Sequence, residues 1–140
     1  MPGIFSDKSI LIVDDDVRML HALEKVFSRE SASVTCVDLA LDALKILVAR
    51  PKKFDLLITD LRMPFVSGAR TVSVVHGVLP ELPIIVLTAF GDPDVKAECL
   101  RKGAAAFLEK PLEASLLLDI VGKILGLEKI SVSDEQINSK

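Results

Sequence analysis

The sequence predicts a doubly wound α/β domain, and three observations carry that expectation. Five apolar runs of strand length recur along the chain, several rich in Ile, Val and Leu without polar alternation. That is the pattern of strands covered on both faces. Segments with helical spacing fall between the runs, and right-handed crossovers then place helices on both sides of a mostly parallel sheet. At 140 residues and 50% hydrophobic, the chain has the material for one such core and not for two large domains.

The elements follow in order. A first strand, Ser9 to Val13, leads to a helix from Val17 to about Arg29, with Leu20, Leu23, Val26 and Phe27 on one face and Arg18, Glu24, Lys25 and Arg29 elsewhere. Ser33 to Val37 reads as the second strand, and Ala40, Ala43, Leu44, Leu47 and Val48 mark the second helix. The third strand is Asp55 to Thr59, followed after Gly68 by a helix whose apolar face is Val72, Val75 and Leu79. The fourth strand runs from Pro83 to Thr88. The next helix opens at Asp92-Pro93, where Asp can cap the free amides and Pro suits the first helical position, and it closes at Lys102-Gly103. Ala105 to Leu108 is the last strand. The fifth helix repeats Leu116, Leu117, Ile120, Val121, Ile124 and Leu125, with Gly126 just beyond. The domain is expected over residues 8–126, leaving 127–140 as a polar tail or the start of a linker.

Composition excludes several functions. Seventeen Lys and Arg against 20 Asp and Glu leave a formal charge of −3, so no strong basic field exists to hold nucleic acid. With no Trp or Tyr and only six Phe, the chain lacks a base-stacking platform. Cys36 and Cys99 stand far apart, outside any CxxC pattern, and read as buried thiols of a reducing compartment. No basic leader precedes a long apolar run, and no apolar stretch approaches the ~20 residues that cross a bilayer. A cytoplasmic protein without a membrane partner is expected.

In open α/β sheets the functional crevice lies beyond the carboxyl ends of the strands. There the first strand runs into Asp14-Asp15-Asp16, the third into Asp60, the fourth ends at Thr88 and the fifth at Lys110. Crowded carboxylates resist ionisation unless a cation joins them. Oxygen donors without a nearby His or Cys favour magnesium, which binds through one or two carboxylates together with phosphate oxygens. A phosphoryl group is therefore the expected substrate. Lys110 offers a mobile positive charge and Thr88 a hydroxyl donor, while Asp60 is the natural nucleophile, since a carboxylate can accept phosphoryl as a mixed anhydride. Asp16 fits equally well as a simple helix cap. His21 and His76 sit within helices without a matching ligand and read as surface or packing residues.

These residues resemble the receiver domain of two-component response regulators. The likeness spans about Lys8 to Leu125 and rests on Ile10-Leu11-Ile12-Val13-Asp14-Asp15-Asp16, Leu57-Ile58-Thr59-Asp60-Leu61-Arg62-Met63-Pro64, Val86-Leu87-Thr88-Ala89 and Phe107-Leu108-Glu109-Lys110-Pro111. The resemblance implies a flavodoxin-like (βα)5 fold with five parallel strands in order 2-1-3-4-5. It implies that Asp60 accepts phosphoryl from a histidine kinase or phosphotransfer protein. Asp15 and Asp60 would bind magnesium directly, the backbone carbonyl of Arg62 would complete the protein ligands, and Asp14 would act largely through water. Lys110 would contact the phosphoryl group, Thr88 would be the switch hydroxyl, and Phe107 takes the switch-aromatic position. The Lys110-Pro111 bond is expected to be cis. Such a protein is not an enzyme beyond its own phosphorylation and dephosphorylation. Its face of helix four, strand five and helix five would meet an output domain, a downstream protein or a second copy.

Two positions should flank the phosphoryl group and tune its lifetime: Arg62, two residues after Asp60, and Phe90, two after Thr88. The runs Leu87-Thr88-Ala89-Phe90-Gly91-Asp92 and Asp60-Leu61-Arg62-Met63-Pro64 look most like receivers that precede a transcription-activating ATPase. No Walker motif or helix-turn-helix follows within this chain, so no direct nucleic-acid contact is assigned. One alternative is a haloacid-dehalogenase-like phosphatase, for which Asp14-x-Asp16 superficially fits. A second is a receiver-like interaction module that never takes phosphate.

Overall fold

The computed structural model describes residues 3–51, 53–63, 66–89 and 91–127. The strands of its main sheet are β1 (Ser9–Val13), β2 (Ser33–Val37), β3 (Leu56–Thr59), β6 (Ile84–Thr88) and β7 (Ala106–Glu109). Two short strands, β4 (Arg62–Met63) and β5 (Val66–Ser67), form a separate antiparallel pair. The helices are α1 (Val17–Ser28), α2 (Ala40–Ala49), α3 (Gly68–Val78), α4 (Pro93–Arg101) and α5 (Ala114–Ile124). The sheet is parallel throughout in the order β2-β1-β3-β6-β7, which for its own five strands is the expected 2-1-3-4-5.

Alternate residues of the central strands feed two cores. Leu11, Val13, Leu57, Ile84 and Val86 face α2, α3 and α4, where they meet Ala43, Leu47, Val72, Val75 and Cys99. Ile10, Ile12, Leu56, Ile58, Ile85 and Leu87 face α1 and α5, against Leu20, Leu23, Phe27, Leu117 and Val121. Covering both faces is what leaves β1, β3 and β6 without polar alternation. The edge strands β2 and β7 are only partly buried.

Helix starts follow local chemistry. The Asp16 carboxylate accepts from the Arg18 and Met19 amides at the start of α1, and Asp92 accepts from the Val95 amide ahead of Pro93. Gly103 follows α4 at φ 124°, and a Cβ there would lie 2.4 Å from Cγ of His76. The exposed His76 of α3 thus lies close over the turn that ends α4.

Several expected positions shift. Val48 was expected on the buried face of α2 but is 65% exposed, and Leu116 of α5 is 48% exposed, because each lies on the flank of its helix turned from the sheet. Leu118 is partly buried against the core. Cys99 is buried as expected, whereas Cys36, on edge strand β2, is only half-buried. Phe5, three residues ahead of the expected domain start, is fully buried, with its ring 5.7 Å from that of Phe27 and its amide donating to the Glu30 carbonyl at 3.0 Å. At the other end the Leu127 amide bonds the Gly122 carbonyl at 2.8 Å. Apart from Leu127, the expected tail or linker lies outside the described residues.

Candidate functional site

Register brings the chemistry together. Val13 pairs with Thr59 across β1 and β3, so the next residues, Asp14 and Asp60, leave the sheet side by side. Thr59 pairs with Val86, and Thr88 with Glu109, which sets Thr88 and then Lys110 along the same rim. Backbone bonds hold each departure: Asp14 N–H donates to Val37 at 3.2 Å, Asp60 N–H to Val13 at 3.0 Å and Lys110 N–H to Thr88 at 2.8 Å.

The Lys110 Nζ ammonium bridges two carboxylates, donating to Asp14 Oδ2 at 2.7 Å and Asp60 Oδ2 at 3.2 Å. The other Asp14 oxygen accepts from the Asp16 amide at 2.9 Å. Asp14 is 2% exposed and Asp60 is also buried, whereas Asp15 is exposed to solvent. Burial raises the pKa of Asp14, and the charge of Asp60 adds to the rise against the opposing hydrogen bond and charge of Lys110. Burial alone would lower the Lys110 pKa, but the hydrogen bond and charge of Asp14, joined by Asp60, outweigh it and raise it. The ammonium stays protonated. One fixed cation thus serves an acidic cluster that remains under-neutralised.

Carboxylate oxygens of Asp14, Asp15 and Asp60 lie within 4.8 Å of one another. The donor set is oxygen only, of mixed burial and open to solvent through Asp15, and fits a hard divalent cation that retains water. Asp16 stands apart from this set, engaged as the α1 cap. The second acid of the Asp-x-Asp pattern is therefore occupied by the backbone, which weighs against the phosphatase alternative.

Thr88 is fully buried at the end of β6. Phe107, in the expected switch-aromatic position, is 7% exposed and packs with the α2–α4 core. Gly91 makes room for it: a Cβ there would lie 2.8 Å from Phe107 Cε1 and 2.8 Å from Glu109 Oε2. Sequence reasoning passed over Gly91, whose only signal is a glycine three residues beyond the strand-end threonine. The Lys110–Pro111 bond is cis, as expected. Arg62 opens β4 two residues past Asp60. Its side chain and all of Phe90, the two expected lifetime-tuning groups, lie outside the described residues. Gly68, at the start of α3, packs against the chain leaving Asp60, where a Cβ would meet Leu61 Cα at 2.5 Å.

A buried aspartate, a bridging lysine, a buried threonine and an acidic cluster at the carboxyl rim of a 2-1-3-4-5 sheet define a receiver-type site. The response regulator receiver domain family matches residues 10–122, and the chain belongs to it. It is a receiver domain of a two-component response regulator.

Among curated relatives, the response regulator protein FleR of Pseudomonas aeruginosa is 35% identical over 114 residues, 81% of this chain and 24% of FleR. The transcriptional regulatory protein ZraR of Salmonella typhimurium is 34% identical over 116 residues, 83% of this chain and 26% of ZraR. The chain thus spans about a quarter of the length of these relatives. Among solved structures, a CheY-like receiver domain protein from Methanospirillum hungatei aligns with a TM-score of 0.80 at 26% identity, covering 95% of this chain and 98% of its own. A receiver domain protein from Clostridium thermocellum also has a TM-score of 0.80, at 25% identity, over 85% of this chain and 94% of its own. Among the described residues, no helix is long and apolar enough to cross a membrane.

Proposed function

We propose that Asp60 accepts a phosphoryl group from the phosphohistidine of a histidine kinase or phosphotransfer protein. The observation that carries this reading is the Lys110 ammonium held between Asp14 and Asp60, at the rim where the three carboxylates converge. A carboxylate oxygen of Asp60 attacks phosphorus as the phosphorus–nitrogen bond breaks. The electron pair stays on the imidazole, and an aspartyl phosphate results. Lys110, already 3.2 Å from Asp60 Oδ2, turns to the incoming phosphoryl oxygens with little movement. Asp14, Asp15 and Asp60, with the backbone carbonyl of Arg62, would hold magnesium, which supplies further neutralisation of phosphoryl charge.

Thr88 is the switch hydroxyl: donating to a phosphoryl oxygen draws it toward Asp60, and Phe107, seated on the neighbouring strand, responds to the space this leaves. The readout surface is α4, β7 and α5, the last two being the final strand and helix of the sheet order, where Leu100 and Leu116 are exposed. It contacts an output domain or a downstream protein, or pairs with a second copy. The likeness to FleR and ZraR supports a transcriptional output and a cytoplasmic setting. Arg62 and Phe90 govern water access to the phosphoryl group. An unchanged phosphate lifetime in Phe90→Glu and Phe90→Ala would remove Phe90 from that role.

The test is incubation with acetyl phosphate and magnesium, followed by intact mass. Wild type gains the mass of one phosphoryl group, and Asp60→Asn gains none. An adduct that survives the substitution places the acceptor elsewhere. Multiple turnover of a phosphate monoester would restore the phosphatase reading.

A further inference from the structure

We propose that Thr59 is a positioning residue for phosphoryl transfer: its hydroxyl fixes the peptide that follows Asp60, and with it the direction in which the Asp60 carboxylate leaves the sheet. The inference rests on the reading of Asp60 as phosphoryl acceptor and adds to it the group that aims the nucleophile.

Thr59 is the last residue of β3 and is 1% exposed. Across the ladder it pairs with Val13 on one side and Val86 on the other, and both valines belong to the core under α2, α3 and α4. Packing at this position asks only for a third valine, which has the same branched shape. A hydroxyl here has been taken out of water and must find a partner. The partner is the residue that carries the chemistry. Thr59 Oγ1 donates to the backbone carbonyl of Asp60 at 3.1 Å.

That bond completes a two-sided hold on the nucleophile. The peptide ahead of Asp60 is fixed because the Asp60 N–H donates to the Val13 carbonyl at 3.0 Å. The peptide behind it is fixed through the carbonyl that Thr59 engages. A residue has only two soft backbone dihedrals, so holding both flanking peptides sets the Cα–Cβ bond of Asp60. This bond delivers a carboxylate that meets Lys110 Nζ at 3.2 Å and lies within 4.8 Å of the oxygens of Asp14 and Asp15. The main sheet gives little help beyond this point, since β3 ends at Thr59 and the next strand along the chain is the two-residue β4. A displacement of about 1 Å at a reacting atom is enough to slow chemistry severely. Without the Thr59 hydroxyl, the peptide behind Asp60 can rotate and the carboxylate spreads over a wider range of directions.

Phosphorylation by acetyl phosphate at saturating magnesium, followed as intact mass against time, is compared in wild type, Thr59→Val, Thr59→Ser and Val75→Ala. Thr59→Val keeps the packing and should melt close to wild type, yet its rate should fall about tenfold. Thr59→Ser keeps the hydroxyl and loses a buried methyl, so it should melt lower while its rate stays within about twofold of wild type. Val75→Ala opens a cavity in the same core and should melt lower with an unchanged rate. A residue acting through stability alone would give the opposite ranking of rates. In magnesium-free protein the Asp60 carbonyl carbon resonance should move upfield in Thr59→Val and hold its place in Thr59→Ser, which reads the hydrogen bond apart from the reaction. A Thr59→Val rate equal to wild type, a Thr59→Ser rate as low as that of Thr59→Val, or an unmoved carbonyl resonance in Thr59→Val overturns the proposal. Borohydride reduction of the wild-type adduct, followed by peptide mapping, locates the phosphoryl group. Found on any residue but Asp60, it removes both this inference and the reading beneath it; found on Asp60 with equal rates in wild type and Thr59→Val, it removes the role of Thr59 alone.

Discussion

Replacing Lys110 with Met keeps the length of the side chain and deletes its charge. In the wild type that ammonium makes two charge-assisted hydrogen bonds, at 2.7 and 3.2 Å, to buried carboxylates. Each such bond contributes about 1.5–3 kcal/mol, and removing one partner of a buried ion pair costs about 3–5 kcal/mol. The Lys110 side chain keeps 13% of its exposure, so water can enter and solvate the stranded acids, which brings the net loss to about 2–3 kcal/mol. For a chain of this size that is a fall of roughly 6–9 °C in melting temperature. Magnesium should then stabilise the variant more than the wild type, because the cluster of Asp14, Asp15 and Asp60 has lost its internal cation. Thermal melts followed by circular dichroism, with chelator and with saturating magnesium, read both effects. A metal-free variant as stable as wild type, or a magnesium shift no larger than wild type's, would refute the view that Lys110 balances an under-neutralised acidic cluster.

Two further substitutions probe the frame around the site. Phe5→Ala empties a fully buried aromatic position against Phe27 and should cost about 3–5 kcal/mol in urea denaturation, and a chain beginning at Lys8 should be destabilised similarly. Gly91→Val places a side chain where Phe107 and Glu109 now lie and should push the Phe107 ring toward solvent. A fluorophenylalanine resonance, assigned through Phe107→Leu, should then become sensitive to a soluble paramagnet, and an unchanged resonance would mean that Gly91 does not seat the ring.

The chemistry was legible in the sequence because of where strands end. Uninterrupted runs such as Ile10–Val13 and Leu56–Thr59 announce strands buried on both faces, and the polar residues that follow can only emerge at one rim. Capping was equally readable, since Asp92-Pro93 and Lys102-Gly103 carry their own stop and start chemistry. What escaped depends on contacts between residues distant along the chain. Phe5 precedes any periodic segment, so nothing local shows that it meets Phe27. The β4–β5 pair is too short for periodicity, and the closeness of Gly68 to Leu61 exists only once the chain has folded back. Val48 was misplaced because an almost wholly apolar helix carries no sequence contrast between its two sides.

The direct attachment of Asp14, Asp60 and Lys110 to the last residues of strands has an evolutionary consequence. Each side chain is placed by hydrogen-bond ladders shared with its neighbours, so helix surfaces can diversify toward new binding companions without disturbing phosphate chemistry. Insertions within a strand are a different matter. Slipping β3 by one residue would turn Asp60 to the opposite side of the sheet, so lineages of this fold should vary in their loops and outer helices long before they vary in strand length.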